Sequence, residues 1–332
     1  MNATVPDLSL RELLTPEQIR ALGHADPRPS RGGSGEWIRI LRGRYVRRRR
    51  WQELDERQRC LGAHLAYLRC ARGSFVFSHT SAALLHGLSS LRVPETIHVS
   101  TDRKTASADP RVRVYRLPQA VARRTHLQPG IPVTDLERTL LDCAASLPFD
   151  DAVVLADQTL QREVSRDAVL TLLDSGPRMR GAVAARRVLA FADPRAESAL
   201  ESLGRVRLAA MPVPMPQLQV PVQTHRGRKR LDFGWPHLRL GLELDGKAKY
   251  FRGGDVGEAV YRERQRQLAI EEAGWVLLRA VWADVVHRAD QLELRLVQAL
   301  ARRARQLGVP VFSEAAPGRR ELRLSAEIPV SC

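Results

Sequence analysis

The sequence predicts an α/β protein of two domains, and three observations carry that reading. A chain of 332 residues is too long for one ordinary core and suits two modest ones. Asp193-Pro194 interrupts a run of helical segments, because proline cannot continue a helix. Beyond that break the pattern changes from successive helices to one helix, alternating strands and two further helices around a strand. The expected divisions are 1–50, a small helical unit with a basic hairpin; 51–193, an α/β extension; 194–310, an α/β core with a mixed central sheet; and 311–332, a flexible tail.

The elements follow from local chemistry. Thr15-Pro16-Glu17-Gln18 combines a capping threonine, a first-turn proline and a glutamine three residues on, and predicts a helix to about Gly23. Pro27 to Gly35 is a loop by composition. Trp37 to Val46 reads as a short hairpin, which Arg47 to Arg50 extend with unbroken positive charge. This small helix and basic hairpin together resemble a winged helix-turn-helix. Leucine spacing predicts a helix over Trp51 to Ala71, and a capping Ser78 begins another to Leu88. Strands are expected at Ile97-His98-Val99 and Val112 to Leu117. Helices are expected over Asp135 to Ala145 with Thr134 as cap, and over Asp150 to Gln161, Arg166 to Leu173 and Gly181 to Ala192. Past the boundary come a helix from Arg195 to about Ala210, a strand over Gln217 to Gln223, two facing strands around Pro236-His237, and a helix from Val256 to Ala273.

Composition narrows the function classes. Lys plus Arg total 53 against 37 Asp plus Glu, a formal net charge of +16. Such an excess suits an anionic partner, and arginine forks onto phosphate without losing its charge. An arginine-favouring genome is the competing explanation. The absence of an eighteen-residue apolar run and of a basic-then-apolar N-terminus predicts neither a membrane span nor a secretory signal. Cys60, Cys70, Cys143 and Cys332 form no zinc-spaced set, so a cytoplasmic location is expected.

The most informative residues are two alternating segments. In Leu238 to Asp245 every even position up to Leu244 is leucine, and Arg239, Gly241, Glu243 and Asp245 fall on the other face. In Arg228 to Trp235, Leu231, Phe233 and Trp235 share one face, and Arg230 and Asp232 share the other. Pairing about Pro236-His237 would set Arg230 opposite Glu243, with Asp232 as diagonal neighbour. Asp232, Glu243 and Asp245 would then converge. Clustered carboxylates need a compensating cation, and a hard divalent ion such as Mg²⁺ or Mn²⁺ suits carboxylate oxygens. The alternative is a solvated outer face on which Arg230 and Arg239 pair with the acids.

The order of an acid-bearing helix, Asp232, and Glu243 with a lysine downstream resembles the PD-(D/E)XK nuclease superfamily. More narrowly, Ala196-Glu197-Ser198-Ala199-Leu200-Glu201, Arg230-Leu231-Asp232-Phe233, Glu243-Leu244-Asp245-Gly246-Lys247-Ala248-Lys249-Tyr250 and Ala273-Gly274-Trp275-Val276 resemble a large actinobacterial family. Its C-terminal domain of unknown function is similar to the very-short-patch-repair (Vsr-like) endonuclease. The likeness covers most of 195–290 and implies a restriction-endonuclease-like α/β core. It implies Asp232 and Glu243 as principal metal ligands, with Asp245 beside them, and Glu197 or Glu201 as a further acid. Asp245 stands where the superfamily has lysine. Lys249 is the expected substitute, with Lys247 as runner-up, to orient the attacking water or neutralise the phosphate. Glu263, Trp275 and Trp282 read as structural, while Arg264 and Arg266 are open to phosphate contact.

Residues 36–190 resemble the N-terminal region of AbiEi-type antitoxin proteins, in Leu41-Arg42-Gly43-Arg44-Tyr45, Ser78 to Gly87 and Val133-Thr134-Asp135-Leu136-Glu137-Arg138-Thr139. The resemblance implies a winged-helix module with an α/β extension. Loop Pro27 to Gly35 falls where a recognition helix is expected, so DNA affinity would rest on Arg39, Arg42, Arg44 and Arg47, Arg48, Arg49, Arg50, with Arg230 in the second domain. His79 and His86 read as packing or capping residues. Two functions remain: a Mg²⁺- or Mn²⁺-dependent DNA endonuclease, in repair or in defence, and a non-catalytic DNA-binding regulator of antitoxin type. Beyond DNA, a cognate toxin or a second copy of the chain is an open partner.

Overall fold

The computed structural model describes residues 8–28, 35–103, 105–118, 123–127, 130–246 and 256–312. It is a mixed α/β structure in two compact units, Met1–Leu189 and Ala190–Cys332. Most of loop Pro27 to Gly35, Lys247, Lys249 and the expected tail from 313 onward lie outside the described residues. Among the described residues no helix is long and apolar enough to cross a membrane.

The first unit opens with α1 (Pro16–Ala21), capped reciprocally by Thr15 and Gln18 as the sequence predicts. Strands β1 (Trp37–Leu41) and β2 (Arg44–Arg47) form an antiparallel hairpin. The expected basic extension of the hairpin stops at Arg47, because Arg48 begins a helix, α2 (Arg48–Glu53). The single helix expected from Trp51 is likewise broken. Asp55 accepts from the Gln58 N–H and caps a new helix, α3 (Glu56–Cys70), the preferred chemistry for an N-terminus. A division at position 50 would cut α2, and one core of Leu8, Ile40, Val46, Leu54, Leu61, Phe77 and Val133 spans both sides of it.

The next elements are β3 (Val76–Phe77), α4 (His79–Leu85), β4 (Ile97–Thr101), β5 (Val112–Arg116), β6 (Arg124–Leu127) and β7 (Ile131–Thr134). The strands form one mixed sheet in the order β5-β4-β3-β7-β6. Helices α5 (Leu136–Ser146), α6 (Phe149–Leu160) and α7 (Arg166–Ser175) follow, then α8 (Ala182–Phe191). The cap of α5 is Asp135, whose carboxylate accepts from the Arg138 N–H at 2.8 Å. Thr134, the expected cap, is instead fully buried and hydrogen-bonded to Thr139. Before α8, Gly181 has φ +84°, and a Cβ there would lie 2.0 Å from the Ala145 carbonyl oxygen. Only glycine lets this loop lie on α5.

In the second unit, α9 (Ala199–Ala210) precedes β8 (Gln217–Thr224), β9 (Gly227–Trp235) and β10 (Leu240–Asp245). Helix α10 (Val256–Glu272) crosses to β11 (Val276–Val281), and α11 (Trp282–Val286) and α12 (Ala289–Leu307) close the unit. The sheet order is β11-β10-β9-β8, with β10 and β11 parallel and the other pairs antiparallel. The apolar faces read from the sequence are buried: Leu231, Phe233 and Leu238 are at most 0% exposed, and so are Leu240 and Leu242. Gly204 admits α9 so close to β10 that a Cβ would meet Leu244 at 2.4 Å.

Three histidines of the first unit are held neutral. Burial lowers His64 to about 4, and burial with Arg138 and Arg113 lowers His79 to about 3; His98 falls to about 4 by burial first. Burial raises Asp142 to about 6, against the pull of Arg138. The unfolded chain takes up protons on histidine near 6.5 that the folded unit refuses, so stability is lost as pH falls from 6.5 toward 4. Asp142 acts in the opposite sense between pH 6 and 3.8, where the folded unit binds the extra proton. Taking all three histidines against Asp142, with His98 discounted for its partial exposure, the first unit should lose about 3 kcal/mol between pH 6.5 and pH 5. Urea unfolding at the two pH values measures this, and an unchanged or higher midpoint at pH 5 would refute it.

Candidate functional site

The two strands that carry the acids meet in a different register from the one expected. Strand β9 ends at Trp235 and β10 begins at Leu240, so the connection is residues 236–239 rather than two residues. Pro236–Leu238 form a 3-10 turn, and Arg239 closes it in the left-handed region at φ 47°. The pairs are therefore Leu240 with Trp235, Gly241 with Gly234 and Leu242 with Phe233. Continued by one residue, this register sets Asp232, not Arg230, across from Glu243. A shift of two residues keeps every side chain on its face, which is why the sequence pattern could not distinguish the two. There the Asp232 side chain takes over from the backbone ladder, and its Oδ2 accepts from the Leu244 N–H at 2.9 Å.

Glu243 is 5% exposed, and a buried carboxylate requires charged partners. Two arginines supply them. Arg266 of α10 donates through Nη1 to Glu243 Oε2 at 3.0 Å and through Nη2 to Oε1, a bidentate fork. Arg279 stands beside Glu243 on the parallel neighbour β11, with Nη2 3.4 Å from Oε2. Arg279 also lies 3.4 Å from Asp245 and bonds Glu263, which in turn meets Arg266 at 3.2 Å. The hydrogen bonds to Glu243 hold the Arg266 guanidinium above its ordinary range, against the opposing effect of burial. Glu263 thus belongs to the charged cluster. Arg279 escaped the sequence reading, although a lone arginine within Val276-Leu277-Leu278-Arg279-Ala280-Val281 was the available signal.

The expected helix acids take other roles. Ser198 caps α9, so the helix begins at Ala199 and Glu197 precedes it; the two acids are not one turn apart on a helix face. Ser198-Ala199-Leu200-Glu201 has the capping-box sequence, but only half of the box forms: the Ser198 hydroxyl accepts from the Glu201 N–H, while the Glu201 carboxylate reaches one residue further back. Glu201 Oε1 accepts from Ser198 Oγ at 2.8 Å, and Oε2 accepts from the Glu197 N–H at 2.9 Å and from Gln219 at 2.8 Å. Glu197 pairs with Arg230 at 2.5 Å. The Arg230 carbonyl accepts from Arg266 at 2.8 Å, which links Glu197 through one residue to the Glu243 cluster.

By donor type, the hard oxygens of Asp232, Glu243 and Asp245 fit Mg²⁺ or Mn²⁺. In this arrangement guanidinium groups hold both oxygens of Glu243, so an ion would compete with arginine for them. Among the described residues no group of three or more His, Cys, Asp or Glu side chains is disposed to hold a metal.

The arginines of the hairpin and of α2 differ in exposure and in partners. Arg39, Arg42, Arg47, Arg48 and Arg49 are exposed. Arg44 donates to the Arg69 carbonyl at 2.9 Å, Arg47 pairs with Glu36 at 3.3 Å, and Arg50 donates to Glu12 at 3.1 Å. Arg48 donates to the Gly35 carbonyl at 2.6 Å, and Arg49 lies 3.4 Å from Glu53.

No protein-family model matches the chain. The uncharacterized protein Rv2248 of Mycobacterium tuberculosis strain H37Rv is 32% identical over 193 residues, which are 57% of this chain and 69% of that protein. The uncharacterized protein MT2308 of the CDC 1551 strain matches with the same identity and shares. The chain belongs to the family of these mycobacterial proteins. The crystal structure of the RV2827C protein from Mycobacterium tuberculosis overlaps at a TM-score of 0.37 and 17% identity, covering 55% of this chain and 73% of that one; so distant a likeness carries no argument.

The Glu243–Arg266 contact yields a prediction. Arg266→Ala should destabilise the second unit by about 2 kcal/mol, less than for a fully buried pair because Arg266 is partly solvated. Combined with Glu243→Gln, urea unfolding should return a coupling of about 1–2 kcal/mol. Additive single effects would show that the two groups do not stabilise one another.

Proposed function

We propose that the second unit is a Mg²⁺- or Mn²⁺-dependent endonuclease domain that hydrolyses phosphodiester bonds in DNA, in repair or in defence against foreign DNA. The observation that carries this reading is the register of β9 and β10, which brings Asp232 alongside Glu243 on adjacent strands. The likeness of the surrounding motifs to the PD-(D/E)XK superfamily, and to its Vsr-like members, supplies the reaction class. Asp232 and Glu243 would hold the ion, with Asp245 next to them. When bound, the ion would supply Lewis-acid stabilisation of the phosphate and a water acidified for attack. Arg266 and Arg279 orient Glu243, and once released toward solvent each is a fork suited to a phosphate oxygen. Lys249, the expected replacement for the lysine missing at Asp245, and its alternative Lys247 are the remaining candidates for the ammonium. The exposed arginines of the β1–β2 hairpin and of α2, above all Arg39 on β1 and Arg42 in the turn, would contact the DNA backbone without reading sequence.

One observation favours a second reading, a DNA-binding regulator of antitoxin type without turnover: arginine already neutralises Glu243. A cognate toxin, or pairing of two chains, belongs to that reading.

Cleavage of supercoiled and linear DNA in Mg²⁺ or Mn²⁺ separates the two. The nuclease reading expects nicking or cutting that falls by about a thousandfold in Asp232→Asn and in Glu243→Gln, with DNA affinity retained. Binding without cutting in either metal would leave the regulator. In both readings Arg39→Ala with Arg42→Ala should weaken DNA binding and reduce the slope of log K against log salt by about 2. An unchanged slope would remove the hairpin from the DNA-binding surface.

A further inference from the structure

The first unit contains a cleft of about 790 Å³ between β5, at the sheet edge, and helices α5 and α7. Its charge is one-sided. Arg113 and Arg116 of β5, Arg138 of α5, and Arg178 and Arg180 of the loop before α8 all line it, with Asp142 as the carboxylate among the lining residues. Arg138 Nη2 lies 2.7 Å from Asp142 Oδ1. Arg113, Arg116, Arg178 and Arg180 are exposed, and none of the four has an ion pair with a carboxylate among the described residues. Guanidinium groups gathered in this way repel one another unless an anion sits among them. Their planar forks match phosphate oxygens. The loop that bears two of them runs into Gly181, which packs so closely on α5 that a Cβ would lie 2.0 Å from the Ala145 carbonyl oxygen.

The rest of the lining is not that of a simple anion trap. The His79 ring stacks on Tyr115 with centroids 3.8 Å apart and 18° between planes, and Tyr115 Oη meets His98 Nδ1 at 3.0 Å. Leu117, Leu141, Leu172 and Met179 add apolar surface. The volume falls within the range of small-molecule sites, about 300–1,000 Å³. His79, 7% exposed, has its backbone at φ 51°, a conformation that non-glycine residues adopt rarely and that gathers at ligand sites. Asp142 is 1% exposed, with both oxygens closed off from solvent, and it balances Arg138 at 2.7 Å with His79 Nδ1 3.9 Å from its Oδ2. The cleft therefore offers cations for a phosphate and apolar surface for a ring, beside a Tyr115 ring that already carries His79 stacked on it and Arg113 5.3 Å from its centroid.

We propose that this cleft binds a nucleotide, with the phosphate held by Arg113, Arg116, Arg178 and Arg180 and the base set against the apolar lining. The ligand chemistry is the same whether the nucleotide is free or is one unit of a single DNA strand. The site lies wholly within the first unit and is independent of the nuclease reading of the second.

Isothermal titration of the full chain with adenosine 5′-monophosphate, thymidine 5′-monophosphate, a 5′-phosphorylated oligodeoxythymidine and inorganic phosphate tests it. The variants are Arg178→Ala/Arg180→Ala and, as a control of equal charge loss, Arg20→Ala/Arg72→Ala, each checked for an unaltered melting transition. Saturable binding of a mononucleotide, weakened about tenfold or more in the first variant and unchanged in the control, supports a free nucleotide. The same pattern with the oligonucleotide alone supports a strand. Inorganic phosphate binding as tightly as any nucleotide would overturn the assignment, as would equal effects of the two variants or no binding of any probe.

Discussion

A carboxylate buried in the body of a sheet governs the second unit. Glu243 is 5% exposed on a strand whose alternate residues are leucines, and removing such a charge from water is tolerated only when partners replace the water. The partners come from two elements that the chain reaches much later, Arg266 on the crossover helix and Arg279 on the parallel strand. Both contacts tie α10 and β11 to β10 at Glu243. Asp245 and Glu263 complete an alternating network of acids and bases. The same network gives the unit its chemical interest, since the arginines that stabilise the carboxylates in the absence of an ion would have to yield to one.

A parallel economy operates in the first unit with the signs reversed. There Asp142 is the buried acid, Arg138 its partner, and the surplus is cationic. Neutral histidines share this interior: His64 bonds Ser81 at 2.7 Å, and His79 bonds Ser78 at 3.0 Å. Ser78, expected to cap α4, spends its hydroxyl on this network, meeting Ser100 at 2.8 Å. Local capping has been exchanged for a buried polar web, an arrangement that specifies one packing strongly because any unsatisfied member is costly.

Legibility followed the range of the interaction. Amphipathic patterns gave most helices and the strands from Gln217 to Asp245 within a few residues, since burial of one face is written in the order of side chains. Strands β3, β6 and β7 went unread: two to four residues hold too little periodicity, and their existence depends on neighbours elsewhere in the chain. The helix break at Asp55 was readable in principle from Asp55-Glu56-Arg57-Gln58, a capping box masked by the leucine spacing on either side. The acids of the candidate site were named correctly as a face, yet their partners were not. Arg279 looked like an anomaly in an apolar strand, and Glu201 like a ligand when its carboxylate is taken up by Ser198, Gln219 and the Glu197 N–H.

By itself the sequence determined the α/β class, the faces of the strands, the net positive charge and which carboxylates share a face, because each depends on side-chain type and local spacing. Only the tertiary structure decided which acid faces Glu243. Two registers of β9 and β10 bury the same leucines, and the choice rested on the left-handed turn at Arg239. It also decided that Arg266 and Arg279 occupy Glu243 and that five arginines distant in sequence surround one cleft. Those outcomes depend on distances between segments, and electrostatic interaction acts through space rather than along the chain.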